Sequence, residues 1–141
     1  MATLTSTQAR LNTRKLLYLA PLAGLIAAAL NAVLFLVGSS MGAFPADFII
    51  PNSGQPFTIV PIFISSIVPA LVAGLVLAAL IRFTKRPLFI FNILAGVIFV
   101  LSFATPSTLP NPPMIMVVIL ELMHVVVAGV VVIAFNRYAK Q

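Results

Sequence analysis

The stretch LLYLAPLAGLIAAALNAVLFLVG, residues 16–38, is long enough and apolar enough to cross a lipid bilayer as one helix. Arg14 and Lys15 stand directly before it. The apolar run is much longer than the hydrophobic part of a secretory signal peptide, and no small-residue cleavage site closes it. We therefore predict a retained membrane-spanning helix rather than a cleaved leader.

Three further apolar stretches follow, and they predict membrane spans at 58–81, 88–103 and 114–135. The chain is 62% hydrophobic and only 7% charged, so its polar surface is too small for a soluble domain of 141 residues. The turn between the second and third spans is short, which makes these spans antiparallel neighbours. The predicted fold is an all-α, four-helix, up-and-down transmembrane bundle over residues 16–135.

The basic residues indicate how this bundle is inserted. Every Lys and Arg lies in one of three segments: the tail 1–15, the turn 82–87, or the tail 136–141. Cytoplasmic loops retain Lys and Arg during insertion, so we predict that both termini and this turn are cytoplasmic. The net charge of +6 then faces anionic headgroups, which predicts membrane lipid, and not nucleic acid, as its partner.

The two outer loops differ in kind. The loop 39–57 combines three prolines with the apolar patch Phe48-Ile49-Ile50, so we predict that it folds back onto the outer mouth of the bundle. The connection 104–113 contains four prolines, which predicts an extended and fairly stiff segment.

Five polar residues lie at a similar depth in the predicted bundle. At a rise of about 1.5 Å per residue, each falls roughly 10 to 15 Å below the outer surface. We predict that they form a polar or ligand-binding cluster in the outer half of the bundle. Its members are Asn31, Ser65, Ser66, Glu121 and His124.

Small residues at four-residue spacing mark the packed faces of helices in lipid. The first two spans carry clear series of this kind. The series in the first span ends at Asn31, and the series in the second span begins at Ser66. On the third span the same rule selects the face of Asn92 with Ala95 or Gly96. On the fourth span it selects the face of Glu121, His124 and Ala128.

Glu121 and His124 are three residues apart, so on a helix they share a face and can contact each other or a common ligand. A charged residue near the centre of a span costs about 2.5 to 3.5 kcal/mol, and such residues usually mark function. Three interpretations stay open from the residues alone. The pair fixes helix register without a ligand, it binds or transports a ligand, or it takes part in catalysis.

The E-x-x-H spacing is also typical of di-iron helix bundles, which use it twice together with two further glutamates. Asp47 is the only other acid in this chain, so one subunit cannot assemble that site and a metal would need a homodimer interface. Met123 beside His124 offers a soft ligand of the kind copper prefers, although methionine in a span more often fills packing space. The candidate metal ligands are therefore His124, Glu121 and Met123, and the sequence requires no cofactor.

Several enzyme classes find no support in the sequence. The absence of cysteine excludes disulfides, thiolate metal sites and thiol nucleophiles, and no phosphate-binding loop or nucleophile elbow occurs. The favoured function is therefore a non-enzymatic binding or accessory subunit, working as a homo-oligomer or within a larger membrane complex. One alternative is a small oligomeric transporter or proton-coupled carrier that uses Glu121 and His124. Another is a metal-binding or catalytic membrane protein.

Three short motifs carry a resemblance to a known group. Asn31 late in the first span, Ser-x-x-Pro at 66–69 and Leu-Met-His at 122–124 resemble small bacterial four-helix membrane proteins catalogued as a domain of unknown function. This resemblance implies a four-helix fold in the bacterial plasma (inner) membrane, and it implies no activity. The small multidrug-resistance transporters are similar in size, but their membrane glutamate lies in the first helix, whereas Glu121 lies in the last.

Overall fold

The computed structural model describes residues 11–51 and 53–139, and over these residues the chain folds into four α-helices. The helices are α1 (Thr13–Ser40), α2 (Ile59–Phe83), α3 (Pro87–Ser102) and α4 (Met114–Tyr138). The connections hold an antiparallel hairpin, β1 (Ile49–Ile50) with β2 (Gln55–Pro56), and a 3₁₀ helix at Pro106–Thr108. The predicted all-α four-helix bundle is confirmed. The tail residues 1–10 and 140–141 lie outside the described residues.

Three of the helices in the described part of the chain, α1, α2 and α4, are long and apolar enough to span a membrane. α3 is apolar but has only 16 residues. At about 1.5 Å per residue it is about 24 Å long, which is less than the apolar core of a bilayer at about 30 Å. The described residues thus give three helices with the length and composition of membrane spans and a shorter apolar fourth helix, as expected of a membrane protein.

α1 and α2 approach each other through small residues. A Cβ atom on Gly74 would lie 2.6 Å from the Cβ of Ala20, and one on Gly24 would lie 3.0 Å from the Cα of Ile67. Gly24, Gly74, Ala20 and Ala70 are all buried. Because nothing larger fits, the two helix backbones lie nearly in contact, and the small-residue faces predicted for these helices are confirmed.

α4 buries a different kind of face in its N-terminal half. Its buried residues there are Met116, Ile119 and Met123, whereas Glu121 and Ala128 are half-buried. The prediction that small residues mark the inward face of α4 was wrong. Large flexible side chains fill the space between α4 and its neighbours, so this contact does not need close backbone approach.

α3 is the least packed helix. Phe91 alone of its sixteen described residues is buried, and its ring lies 5.5 Å from that of Phe135 on α4. Asn92 and Gly96, predicted to face inward, are both exposed, and a Cβ on Gly96 would meet nothing within 4 Å. Ala95, the predicted alternative to Gly96, is half-buried and packs against the core. The prediction was therefore wrong for Gly96, and among the described residues the one fully buried contact of α3 is the aromatic contact of Phe91.

The first and last described turns meet at one end of the bundle. The backbone N–H of Asn12 donates to the carbonyl oxygen of Ala139 at 2.9 Å. Since successive helices run in opposite directions, the turn at 82–87 lies at this same end, together with Arg14 and Arg137. The described basic residues, which are segregated in the sequence, thus lie at one physical end of the molecule.

At the opposite end, the loop between α1 and α2 folds back onto the bundle, as predicted. Ala43 of this loop is fully buried and packs in a cluster with Ile62 of α2 and Ile119 of α4. The ring of Phe44 lies 4.9 Å from that of Phe35 on α1. The loop therefore covers this end of the helices with an apolar layer.

The second outer connection differs from the extended segment that was predicted. It contains the 3₁₀ helix Pro106–Thr108, and Pro106 is fully buried. Proline fits the first position of a helical turn because its φ angle is already set and its missing N–H needs no partner there. One of the four prolines thus begins a turn that packs inward.

Replacing Gly74 with Ala is expected to lower the melting temperature in detergent, because the added Cβ forces α1 and α2 apart. Overpacking of this kind costs about 1 to 3 kcal/mol. Gly129→Ala is the matched control, since a Cβ there meets nothing within 4 Å and alanine favours the helix. Thermal melting followed by circular dichroism measures both variants. Equal melting temperatures would contradict the close contact of α1 with α2.

Candidate functional site

Two of the predicted residues, Asn31 on α1 and Ser66 on α2, contact each other in the interior of the bundle. Nδ2 of Asn31 donates to Oγ of Ser66 at 3.0 Å and to the backbone carbonyl oxygen of Met123 on α4 at 3.3 Å. Both side chains are buried, with 2% of Asn31 and 0% of Ser66 exposed. We call these groups the three-helix polar contact, because they join α1, α2 and α4.

The direction of each hydrogen bond in this contact follows from its partners. The Ser66 hydroxyl donates to the carbonyl oxygen of Ile62 in its own helix at 2.8 Å, so its oxygen is left to accept from Asn31. The Met123 carbonyl can only accept, which places the amide nitrogen of Asn31 toward both groups. The amide oxygen of Asn31, Oδ1, is buried without a partner. The contact therefore joins three helices and leaves one acceptor unused.

Ser65 lies outside this contact. Its side chain is exposed, and its hydroxyl donates to the carbonyl oxygen of Ile62 at 3.1 Å. Adjacent residues on a helix point about 100° apart, so Ser65 and Ser66 cannot both face α1. Of the two serines in the predicted cluster, the structure brings only Ser66 to Asn31.

Glu121 and His124 are also separate from the three-helix polar contact. Within the described residues, neither side chain has a hydrogen bond or an ion pair with Asn31 or Ser66, nor do the two bond to each other. The reason is helix geometry, because Glu121 is two residues from Met123 and points to nearly the opposite side of α4. The predicted single cluster is thus two separate groups at similar depth.

The atoms of Glu121 and His124 have different surroundings. Nδ1 of His124 lies 2.7 Å from the carbonyl oxygen of Leu120, and since that oxygen can only accept, Nδ1 carries a hydrogen. Nε2 is then the ring nitrogen free to bind something else. Oε2 of Glu121 is buried without a partner. In the described ranges, this oxygen and Oδ1 of Asn31 are the side-chain atoms that are both buried and without a partner. Nε2 of His124 and Oε1 of Glu121 also have no hydrogen-bond partner among the described residues but are not among these buried atoms, so they reach the protein surface.

A groove between α3 and α4 continues the face on which Glu121 lies. Glu121 precedes Val125 by four residues and Ala128 by seven, so these residues share one side of the helix. A Cβ on Gly96 or on Gly129 would meet nothing within 4 Å. The groove is lined by Asn92, Ala95, Gly96, Phe99, Val125, Ala128, Gly129 and Val132. We call this groove, together with Glu121 and His124, the open face.

A second polar contact between helices was missed by the sequence analysis. Nδ2 of Asn92 donates to Oδ1 of Asn136 at 3.1 Å, and Nδ2 of Asn136 donates to Oδ1 of Asn92 at 2.8 Å. The predicted fourth span ended one residue before Asn136, whereas α4 continues to Tyr138. The sequence feature that could have predicted this contact is an asparagine on each of two antiparallel helices, α3 and α4, near the same end of the bundle. Two such side chains can pair their amide groups.

The candidate metal ligands do not form a complete set within one subunit. The part of the chain that the structure describes contains no group of three or more His, Cys, Asp or Glu side chains able to hold a metal ion. Met123 is buried in the interior, packed with Ala43 and Ile62, on the other side of α4 from Glu121. His124 and Glu121 are thus the two candidate ligands that share the open face.

Comparison with protein families shows which family the chain matches. The model of a family of unknown function, DUF6069, matches residues 11–141. No curated protein and no solved structure matches the chain. The resemblance to four-helix proteins of unknown function, predicted from Asn31, Ser66 and His124, is confirmed at the level of the family.

We expect Asn31→Ala and Ser66→Ala to destabilise the bundle non-additively, because each removes the partner of the other. Interhelical hydrogen bonds in membrane proteins are worth about 0.6 kcal/mol on average and at most about 1.7 kcal/mol. A double-mutant cycle of thermal stability in detergent measures their coupling energy. Ser65→Ala is the matched control and should be nearly neutral, since its exposed hydroxyl bonds only within α2. Additive losses, or an equal loss at Ser65, would argue against the three-helix polar contact.

Proposed function

The chain belongs to the family of unknown function DUF6069, and we propose that it acts as a non-enzymatic binding or accessory subunit of a bacterial plasma membrane. The observation that supports this function is the open face on α4. There Glu121 has a buried oxygen without a partner, and His124 has a ring nitrogen at the surface. These two groups are suited to bind something outside the single subunit.

The free-energy cost of Glu121 supports this proposal. A carboxylate near the centre of a span costs about 2.5 to 3.5 kcal/mol, and the described residues of the same subunit supply it with neither a hydrogen bond nor an ion pair. Within the described residues, the hydrogen bonds that join α1, α2 and α4 come from Asn31 and Ser66 and not from Glu121. A partner group beyond the subunit offsets the cost.

The shape of the open face supports it as well. Helices in lipid associate through small residues that let backbones come close, and through polar side chains between them. Gly96 and Gly129 have open space around them, while Gly24 and Gly74 are already in contact with a neighbouring helix. One side of the bundle is thus closed by its own helices, and the other side has room for a further transmembrane helix.

A proton-coupled carrier is the second candidate function. It is favoured by one observation, that Glu121 and His124 lie three residues apart on a spanning helix and that Oε2 of Glu121 is buried without a partner. Carboxylates and histidines inside membrane proteins commonly relay protons. In this case the subunit would move its ligand across the membrane instead of only holding it.

We also propose that both termini are cytoplasmic. Arg14, Arg137 and the basic turn 82–87 lie at one end of the bundle, and Lys and Arg are retained on the cytoplasmic side of a membrane during insertion. Reporter fusions after residue 141 and in the loop at Ser53 should give opposite readings. An outward C-terminus would contradict this orientation.

Replacing Glu121 and His124 together with Leu is expected to leave the melting temperature in detergent unchanged or raised, because neither side chain bonds to another helix within the described residues and a charged residue in a span is costly. The same variant should lose association in the membrane and fail to rescue a deletion strain. Ser65→Leu, on the exposed side of α2, is the matched control and should keep both.

Three outcomes of this experiment separate the functions. Lost association supports a binding subunit. Intact association with lost proton-dependent uptake in proteoliposomes supports the carrier. A stable double variant that keeps association and rescue would leave the pair with a packing role and contradict both proposals.

A further inference from the structure

We propose that two copies of this chain bind one divalent transition-metal ion between their open faces, each copy contributing Glu121 and His124. This inference rests on the proposed function and names the partner and ligand of the same site. The partner is a second copy of the chain, and the ligand is a cation of the class that imidazole nitrogen and carboxylate oxygen prefer together, such as Zn²⁺.

The histidine has the arrangement of a metal ligand. In such ligands the nitrogen that does not bind metal usually donates to a carbonyl or carboxylate, which fixes the ring and its tautomer. Nδ1 of His124 donates to the Leu120 carbonyl at 2.7 Å. Nε2 is therefore held in one orientation at the surface of the open face, with its lone pair available.

The glutamate supplies the second ligand on the same face. Glu121 precedes His124 by three residues, which places both side chains on one side of α4 within reach of one ion. Oε1 of Glu121 reaches the surface, and Oε2 is buried without a partner. A cation bound at Oε1 would stabilise the negative charge that this environment otherwise leaves uncompensated.

One subunit cannot complete the coordination. Zn²⁺ in proteins takes four ligands in a tetrahedron, and the described residues of one chain hold no group of three candidate ligands. Asp47, the remaining acid, lies exposed in the outer loop. Two copies related by a two-fold axis repeat the same pair and give two imidazoles and two carboxylates.

The membrane makes this pairing geometrically favourable. Two copies inserted with the same orientation have Glu121 at the same depth, so a two-fold axis along the membrane normal brings equal positions together. The glycine at 129, two turns further along α4, has nothing within 4 Å of a Cβ position. It gives the second copy room to approach, as small residues do at membrane helix contacts.

Zinc binding and assembly state of the full chain test the inference together. The chain is purified in mild detergent, stripped with EDTA, dialysed and titrated with Zn²⁺, and metal content and mass are then measured by elemental analysis and native mass spectrometry. We expect one Zn²⁺ per two chains, with dimers that dissociate in EDTA. Glu121→Gln and His124→Gln should each weaken Zn²⁺ binding by at least roughly 10- to 100-fold. That is the loss of metal affinity found when only a residue hydrogen-bonded to a metal ligand is removed.

Two further variants keep the test decisive if a ligand variant unfolds. Asp47→Asn removes the same charge from the outer loop and should bind Zn²⁺ as the wild type does. Gly129→Leu keeps both ligands but fills the space that the second copy needs, so it should lower both dimer fraction and Zn²⁺ content.

Several results would overturn the inference. These are one Zn²⁺ per monomer, binding that Glu121→Gln and His124→Gln leave unchanged, or no binding at all. If Zn²⁺ does not bind while the Glu121→Leu, His124→Leu double variant still loses its membrane association, the metal site is wrong and the proposed binding function stands.

Discussion

The close contact of Gly74 on α2 with Ala20 on α1 determines the distance between these two helices. The rest of the bundle depends on this contact. Lipid is as apolar as a leucine side chain, so the hydrophobic effect does not hold helices together inside a membrane. Close packing and hydrogen bonds must do so instead. Because the two backbones approach so closely, Asn31 reaches Ser66 at 3.0 Å and the Met123 carbonyl at 3.3 Å. Close approach and polar contact thus stabilise the same interface.

The other side of the molecule is built differently. α3 joins the bundle through Phe91 and through the paired amides of Asn92 and Asn136, all near one end of the helix. Beyond these contacts its residues are largely exposed, and the groove toward α4 stays open. Glu121 and His124 lie on the face of α4 that continues this groove. The polar residue that is most costly to place in a membrane is therefore found where the bundle's own packing is weakest.

Much of the fold could be predicted from the sequence, since four apolar stretches and short turns leave few arrangements. The faces of α1 and α2 were also predictable, because glycine and alanine at four-residue spacing have one clear use in lipid. The same rule failed on α4, where Met116, Ile119 and Met123 pack inward through flexible side chains. The site was only partly predictable. Depth along the helices could be counted, but the rotation of α4 that separates Glu121 from Asn31 depends on contacts that no single helix encodes.

The open face as the surface of association is tested most directly by cross-linking in native membranes. The chain has no cysteine, so a single introduced cysteine reports on one position. We predict that Val125→Cys, in the groove, forms disulfide-linked dimers under mild oxidation. Leu75→Cys on α2, at a position where the leucine is 72% exposed and which lies outside the groove, should remain monomeric. Cross-linking at Leu75 alone, or equally at both positions, would contradict the account.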